Sequence, residues 1–263
     1  MLSLSDTTAV VAALRAAGCV FAEDEAELIL ATARTLDELA TMVARRTTGQ
    51  PLEHVLGWAG FHGLRVLVEP GVFVPRRRTE FLVGEALAQA RDASVVVDLC
   101  CGSGAVGAAL AAALGDAELH AADIDPVAVG CARRNIAPFG GHAYVGDLFD
   151  ALPAALCGRV GILAANVPYV PSGEVGLLPA EARDHEPLVA LDGGGDGRDV
   201  LRRVAAGAPE WLAPGGCVLV ETSERQAGAA VEAFAAAGLT ARLTVSEELF
   251  AHVVIGVRER DQR

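Results

Sequence analysis

The segment VVVDLCCGSGAVG, Val95 to Gly107, sets the fold expected for this chain. Its apolar first half is typical of a strand buried on both faces, and we expect that strand to run from Ser94 to Cys100. The small residues that follow form a turn and open a helix over Ala105 to Leu114. Small residues at the carboxyl end of a strand let the backbone approach a ligand. A plain strand-to-helix turn without a ligand is the alternative interpretation.

Strands and helices alternate on both sides of this segment. Helical patterns begin at Thr79 and at Pro126, and strand patterns recur in AELHAADI, HAYVGD, RVGILAA, GGCVLVET, LTARLTV and AHVVIGV. Such alternation predicts an α/β fold with a mostly parallel sheet that helices cover on both faces. The last two strand patterns lie close together, which indicates an antiparallel hairpin at the end of the sheet.

Two further units precede the sheet. Residues 1–50 carry Ala, Leu and Glu with helical periodicity and predict a small helical bundle. Residues 51–78 mix Gly and Pro with short β-like pieces such as LRVLVE and predict a β-hairpin connector. The chain is therefore expected to divide into a helical domain (1–50), a hairpin connector (51–78) and an α/β domain (79–263).

Composition excludes several classes of function. The chain has 263 residues and a net charge of −13, which disfavours nucleic acid as the main partner. Six cysteines without a CxxC pair suggest neither a zinc site nor a disulfide framework, so we expect no metal and a reducing compartment. We find no long apolar segment and no secretory signal, and we predict a cytoplasmic protein without membrane contact. The one basic cluster, Arg76 to Arg78, can touch a phosphate or form a solvated turn, and we expect the turn.

Three acids follow three successive strand patterns. Asp98 ends the first, Asp123 the second, and Asp147 follows the third. Because the carboxyl ends of parallel strands meet at one edge, these acids are expected to form a nucleoside site without phosphate ligands. Asp98 suits a cationic amino group, Asp123 suits ribose hydroxyls, and Asp147 suits an adenine amine whose ring Leu148 and Phe149 pack. Each acid alone can instead be a helix N-cap, as Asp125 before Pro126 is expected to be.

The stretch ANVPYVP, Ala165 to Pro171, follows the buried strand pattern VGILA. Asn offers an acceptor and two donors, Pro fixes the backbone, and Tyr provides a flat aromatic face. A turn that merely ends the strand, with a surface Tyr169, is the alternative interpretation.

Taken in order, these motifs resemble those of class I S-adenosylmethionine-dependent methyltransferases. More narrowly, the chain is similar to the protein-(glutamine-N5) methyltransferases that modify peptide-chain release factors, the HemK/PrmC family. The resemblance rests on PLEHVLGWAGFHGLRVLVEPGVFVPRRRTE, DLCCGSGA, AADIDP, GDLF, NVPY and DHEPLVAL, which together with the helical N-terminal region extend over nearly the whole chain. It implies a Rossmann-like, seven-stranded sheet with an antiparallel last strand, and a release factor with a Gly-Gly-Gln motif as the protein substrate.

The resemblance also assigns roles to residues. The methyl donor, S-adenosylmethionine, is expected to contact Asp98, Cys100, Cys101, Gly102, Ser103, Gly104, Asp123, Asp147, Leu148 and Asn166. The substrate amide is expected to contact Asn166, Val167, Pro168 and Tyr169. The side-chain oxygen of Asn166 and the carbonyl oxygen of Val167 each accept one N–H of a glutamine amide, while Tyr169 stacks on its plane. Positioning of this kind, without a dedicated base, carries most of the reaction.

Three departures from the family pattern point to a divergent paralogue. Val167 replaces the first Pro of NPPY but supplies the same backbone carbonyl. Cys100 replaces the first glycine of DLGTGSG, and a positive φ there would strain it by ~1–3 kcal/mol. PRPxTE becomes PRRRTE, with the loss of a proline.

Other functions stay open from the sequence. The alternatives are an amine methyltransferase acting on nucleic acid or on a small molecule, and a non-catalytic paralogue that binds the cofactor or a partner. Within DHEPLVAL we expect a structured loop under the pocket, with His185 as a base an alternative. The run GGGDG, Gly193 to Gly197, is interpreted as a flexible lid or connector.

Overall fold

The computed structural model of the chain describes residues 4–90 and 94–260. Its α-helices are α1 (Leu4–Ala16), α2 (Ala22–Thr32), α3 (Leu36–Thr47), α4 (Leu52–Leu56), α5 (Glu80–Gln89), α6 (Ala105–Leu114), α7 (Pro126–Ile136), α8 (Ala180–His185), α9 (Leu188–Leu191), α10 (Asp199–Trp211) and α11 (Glu224–Ala236). Its strands are β1 (Trp58–Phe61), β2 (Leu64–Leu67), β3 (Val95–Leu99), β4 (Glu118–Asp123), β5 (His142–Val145), β6 (Val160–Ala165), β7 (Leu212–Thr222), β8 (Thr240–Ser246) and β9 (Ala251–Val257).

The main sheet has seven strands in the order β5-β4-β3-β6-β7-β9-β8 within the described ranges. The strands from β5 to β7 are mutually parallel, and β9 pairs antiparallel with both β7 and β8. This confirms the predicted α/β fold, including the closing hairpin and the antiparallel last strand. The strand order reverses direction beside β3, the position at which open α/β sheets bind ligands.

Close packing of α6 on the sheet explains why that helix is rich in Ala and has a glycine at position 107. All five residues of β3 are buried, and α6 lies directly over them. A Cβ atom at Gly107 would lie 3.1 Å from a carboxylate oxygen of Asp98 and 3.2 Å from Leu119. A larger residue there would push the helix, and the turn before it, away from the strand.

The helices α1 to α4 pack around their own apolar cluster, whose centre includes Leu14 and Ile29. Thr35 caps α3 by accepting a hydrogen bond from the backbone N–H of Glu38. Strands β1 and β2 then form the predicted antiparallel hairpin, with Trp58 opposite Leu67. None of the helices in the described part of the chain combines the length and apolar character needed to span a membrane.

The buried side chain of Arg46 forms ion pairs both within the helical region and with α8. The guanidinium of Arg46 donates two hydrogen bonds to Glu25, at 2.6 and 3.0 Å, and its Nη1 donates to Glu181 in α8. The carboxylates beside it raise the pKa of Arg46. Removal of one partner from the buried Arg46–Glu25 pair is costly, whereas the contact with the half-exposed Glu181 adds a weaker link to α8.

Candidate active site

A cavity of about 530 Å³ lies at the carboxyl edge of the sheet, beside β3, β4 and β6. It is lined by nearly all of the residues predicted from the sequence: Asp98, Cys100, Cys101, Gly102, Ser103, Asp123, Asp147, Leu148, Asn166, Val167, Pro168 and Tyr169. Gly104 does not line it. Its φ of 76° instead starts α6, where a Cβ atom would lie 3.0 Å from that of Ala132.

The turn between β3 and α6 owes its shape to left-handed backbone conformations. Cys100, Gly102 and Gly104 have φ values of 53°, 53° and 76°. The positive φ at Cys100 ends the strand at Leu99, one residue earlier than predicted. An L-residue with a side chain is strained in this region, and such strain collects at functional sites. Cys100 therefore has the positive φ for which strain was predicted.

We expect the substitution Cys100→Gly to raise the free energy of unfolding by about 1 kcal/mol, because glycine adopts this backbone conformation without a steric penalty. Cys101→Gly is the matched control, since Cys101 is buried and lacks a positive φ, and its removal should destabilise the protein. Chemical denaturation of both variants measures the effect. Equal destabilisation by the two substitutions would show that the turn is not strained at Cys100.

Asp98 lies one residue before the end of β3, and its side chain is buried under α6. One carboxylate oxygen accepts a hydrogen bond from the backbone N–H of Gly107 at 2.8 Å. Burial raises the pKa of Asp98 to about 8, against the opposing effect of this hydrogen bond. No cation contacts it within the described residues, so a positively charged ligand group in the cavity would favour its ionised form.

Asp123 ends β4 with both carboxylate oxygens already in use. They accept hydrogen bonds from the backbone N–H groups of Gly102, at 2.8 Å, and Asp125, at 2.9 Å. Burial raises its pKa, and the two N–H donors oppose that rise. Each oxygen keeps a further acceptor position, so the predicted ribose contact fits this geometry. Asp125 itself caps α7 through Val127, as predicted.

The third acid lines the cavity, as predicted, but is also paired with a cation. Asp147 forms an ion pair with Arg203 at 2.8 Å, which occupies one of the oxygens expected to accept from an adenine amine. Leu148 is buried with a φ of 50° and lines the cavity. The expectation that Phe149 packs against adenine is wrong. Its ring stacks on Trp211, with centroids 5.7 Å apart, because Gly207 leaves room for it beneath α10.

The segment from Asn166 to Tyr169 leaves β6 and turns along the cavity. Nδ2 of Asn166 donates a long hydrogen bond, at 3.4 Å, to the hydroxyl of the buried Thr79. The side chain of Val167 is buried in the core, and no hydrogen bond from the described residues reaches its carbonyl oxygen. The amide oxygen of Asn166 and the carbonyl of Val167 are therefore available as acceptors beside the cavity.

Tyr169 is held at both ends. Its carbonyl oxygen accepts a hydrogen bond from Nε2 of Gln226 at 2.9 Å, and its hydroxyl accepts one from Arg78. Burial raises the pKa of Tyr169, so its phenol is neutral at physiological pH. The alternative of a surface tyrosine on a simple turn does not fit a side chain that lines the cavity and is fixed in this way.

The expectation of a solvated turn at Arg76 to Arg78 is wrong for two of the three arginines. Arg76 donates to both carboxylate oxygens of Glu186, each at 2.6 Å, and Arg78 donates to Glu221 at 2.9 Å. Both acids are buried, and burial raises the pKa of Glu186. Glu186 also accepts a hydrogen bond from the N–H of Val74, so DHEPLVAL forms the structured loop predicted under the pocket.

The Gly193–Gly197 run is packed against the Asn166–Tyr169 segment and is not an open lid. The N–H of Gly193 donates to the carbonyl of Val170 at 2.8 Å, and a Cβ atom at Gly193 would lie 2.6 Å from the carbonyl oxygen of Pro168. Gly197 has a φ of 74°, and a Cβ atom there would overlap the carbonyl oxygen of Tyr169. Gly193 and Gly197 are needed because two backbone segments approach each other there without room for side chains.

We predict that Gly197→Ala lowers activity by more than tenfold and destabilises the protein by about 1–3 kcal/mol, because it combines a positive φ with a clash against Tyr169. Gly195→Ala is the control, since Gly195 is exposed and a Cβ atom there would meet nothing within 4 Å. Thermal unfolding and initial rates of methyl transfer measure both effects. Equal behaviour of the two variants would contradict the packing role.

Sequence reasoning missed the residues that support this segment. Asn166 contacts Thr79, and Tyr169 contacts Arg78 and Gln226. Glu221 in turn contacts Arg78. All four supporting residues come from other parts of the chain. Nothing in the local pattern around Gln226 or Glu221 indicates such a role. Among the described residues, no group of three or more His, Cys, Asp and Glu side chains is arranged to hold a metal ion.

The comparisons with known proteins agree with one another, since each finds methyltransferases. Residues 63–164 match the model described as the methyltransferase small domain. A release factor glutamine methyltransferase of Geobacter sulfurreducens is 37% identical over 84% of this chain and 79% of its own length. One from Streptomyces coelicolor is 41% identical over 71% of this chain and 68% of its own length.

Two further matches differ in kind. A 4-amino-L-phenylalanine/4-methylamino-L-phenylalanine methyltransferase of Streptomyces pristinaespiralis is 36% identical over 74% of this chain and 69% of its own length. A methyltransferase structure from Pyrococcus furiosus aligns with a TM-score of 0.57 at 16% identity, over 75% of this chain and 90% of that one. The latter supports the fold alone.

Proposed function

This chain belongs to the release factor glutamine methyltransferase family, and we propose that it transfers a methyl group from S-adenosylmethionine to the side-chain amide nitrogen of a protein glutamine. The observation that supports this best is the pair of acceptors at Asn166 and Val167, which adjoins the acid-lined cavity. A primary amide has two N–H donors on one nitrogen, and two such acceptors match them.

The residues of the cavity fit the methyl donor. The turn that carries Gly102 opens directly into the cavity, where a Cβ atom would be 4.0 Å from its nearest neighbour, Phe73. The buried carboxyl of Asp98 suits the ammonium group of the methionine part, and Asp123 suits the ribose. When bound, S-adenosylmethionine supplies an electrophilic methyl group on a sulfonium.

The protein's own contribution is positioning. An amide nitrogen is a weak nucleophile because its lone pair is delocalised into the carbonyl group. Asn166 and Val167 each accept a hydrogen bond from one of its two N–H groups and so direct the nitrogen toward the cofactor side of the cavity. Their oxygen atoms also stabilise the positive charge that develops on this nitrogen. Tyr169 covers the amide plane, and the proton that is lost after transfer passes to solvent without a dedicated base.

We infer that the substrate is a peptide-chain release factor carrying a Gly-Gly-Gln motif, which places the reaction in the cytoplasm and requires no nucleic acid. The test is incubation with methyl-labelled cofactor and a purified release factor, followed by peptide mass spectrometry. Label on the glutamine of the motif is expected, and a Gln→Ala version of the factor is the control. Absence of label from the wild-type factor would reject this substrate.

A free aromatic amine is the second candidate acceptor, because one relative is named for methylation of 4-amino-L-phenylalanine. A primary arylamine also presents two N–H donors on one nitrogen, beside an aromatic face that Tyr169 can contact. The same assay with 4-amino-L-phenylalanine in place of the factor separates the two. Methyl transfer to the small amine but not to the release factor would show that the substrate is a small molecule and not a polypeptide.

A further inference from the structure

One cation, the guanidinium of Arg78, contacts the aromatic side chain of Tyr169 at its hydroxyl. The guanidinium of Arg78 donates through Nη2 to the Tyr169 hydroxyl and through Nε to Glu221, at 2.9 Å. Arg78 and Tyr169 both line the cavity, whereas Glu221 lies behind them at the end of β7. A planar guanidinium can make both contacts at once with fixed geometry, which a lysine cannot.

Glu221 makes this arrangement rigid. Its side chain is 2% exposed, and its second carboxylate oxygen, Oε2, is buried without a hydrogen-bond partner in the described residues. The ion pair with Arg78 is thus the interaction that compensates for burial of this charge. Because Glu221 belongs to β7, which is paired on both sides, it connects the guanidinium, and through it the Tyr169 hydroxyl, to the main sheet.

The two ends of Tyr169 are therefore fixed independently. Gln226 holds the backbone carbonyl at 2.9 Å, and Arg78 holds the ring through its hydroxyl. Without Arg78 the backbone of the segment would stay in place, but the ring would be free to rotate away from the acceptor. Arg78 occupies the variable position of the PRPxTE pattern, so the family motif assigns it no role.

We propose that Arg78 is a positioning residue for methyl transfer, acting through Tyr169 to hold the aromatic ring against the acceptor nitrogen. This rests on the proposed function only in the identity of the acceptor, since any planar amide or arylamine would need the same ring. The role is distinct from catalysis, because the guanidinium reaches neither the acceptors of Asn166 and Val167 nor the turn at Cys100 by any hydrogen bond in the described structure.

A double-mutant cycle tests the proposal. The changes are Arg78→Met and Tyr169→Phe, both made in a Glu221→Gln background so that no unpaired buried carboxylate is left to unfold the protein. Each single change should lower kcat by roughly ten- to a hundredfold with little change in cofactor affinity, and the double change should lower it no further. The control Arg77→Met, at the exposed neighbouring arginine, should leave kcat unchanged.

A second readout needs no substrate. The chain contains two tyrosines, so NMR of protein labelled at the tyrosine ring gives two signals, and Tyr169→Phe assigns one of them. Arg78→Met should shift and broaden the Tyr169 signal, whereas Arg77→Met should not. Losses in kcat that multiply in the double variant, or an unchanged Tyr169 signal in Arg78→Met, would overturn the proposal. An inactive wild-type protein with the expected NMR change would reject the proposed function, while showing that Arg78 does hold the Tyr169 ring in place.

Discussion

Replacement of Asn166 by alanine is expected to lower kcat for methyl transfer by about 10²- to 10³-fold, the usual effect of removing one preorganised polar group at a reacting centre. In the proposed mechanism Asn166 supplies one of the two oxygen atoms that orient the acceptor nitrogen. Within the described residues, the only hydrogen bond of its side chain is the one to Thr79, at 3.4 Å. Because that contact is weak, the fold should tolerate the substitution. Initial rates, with thermal unfolding as a check on folding, measure the effect.

Two variants control for this result. Asn166→Asp keeps the shape and an acceptor oxygen and should lose less activity than Asn166→Ala. Thr79→Ala removes the 3.4 Å contact and should reduce kcat by a smaller factor than either. A rate for Asn166→Ala within threefold of the wild type would show that the acceptor amide is held elsewhere.

The second large effect is expected for the substitution Asp98→Asn. It should stabilise the free protein and weaken cofactor binding. Burial raises the pKa of this carboxyl from 3.8 to about 8. A raised pKa means that the folded state binds a proton more tightly than the unfolded state. The cost of ionising Asp98 is therefore absent below pH 3.8, grows as the pH rises, and becomes constant above about pH 8.

Asp98→Asn removes that cost while keeping an oxygen to accept from Gly107. At pH 7 the free energy of unfolding should rise on the order of 4 kcal/mol, and most of this gain should disappear near pH 4. Denaturation of both proteins across this range measures it. An equal gain at every pH would show that folding does not raise the pKa of Asp98.

Cofactor affinity should change in the opposite direction. The ammonium group of S-adenosylmethionine is expected to favour ionised Asp98, so Asp98→Asn should bind the cofactor roughly ten- to a hundredfold more weakly, the loss expected for one charge-assisted contact. The difference between the two proteins should widen from pH 6 to pH 8, because wild-type Asp98 ionises over that range. Titration calorimetry at both pH values checks this.

The fold and the location of the cavity could be predicted because both depend on local patterns. Parallel strands place their carboxyl ends at one edge, so acids at the ends of β3 and β4 had to meet once the alternation of strands and helices was recognised. The strain at Cys100 could be stated as a condition, since one cysteine in a glycine-rich turn is visible in the sequence. The domain boundaries at residues 50 and 78, and the individual roles of the site residues, stay predictions.

What the sequence did not reveal are contacts between distant segments. Arg78 lies 143 residues from Glu221 and 91 from Tyr169, and their pairing exists only because β6 and β7 are neighbours in the sheet. The same holds for the Gly193–Gly197 run, whose glycines resemble a flexible loop until the backbone of Tyr169 is placed against them. Phe149 was misassigned because the space under α10 is created by Gly207, which the local pattern does not indicate.

In the proposed reaction, the NVPY segment presents a planar amide to a methyl donor that is held at the edge of the sheet. A crystal structure with S-adenosylhomocysteine and a Gly-Gly-Gln peptide tests it most directly. We expect the nucleoside to lie between Asp98 and Asp123, and the glutamine nitrogen to lie within hydrogen-bonding distance of Asn166 Oδ1 and the Val167 carbonyl oxygen. A peptide bound with its glutamine outside this cavity, or Asn166 turned away from an occupied cavity, would contradict it.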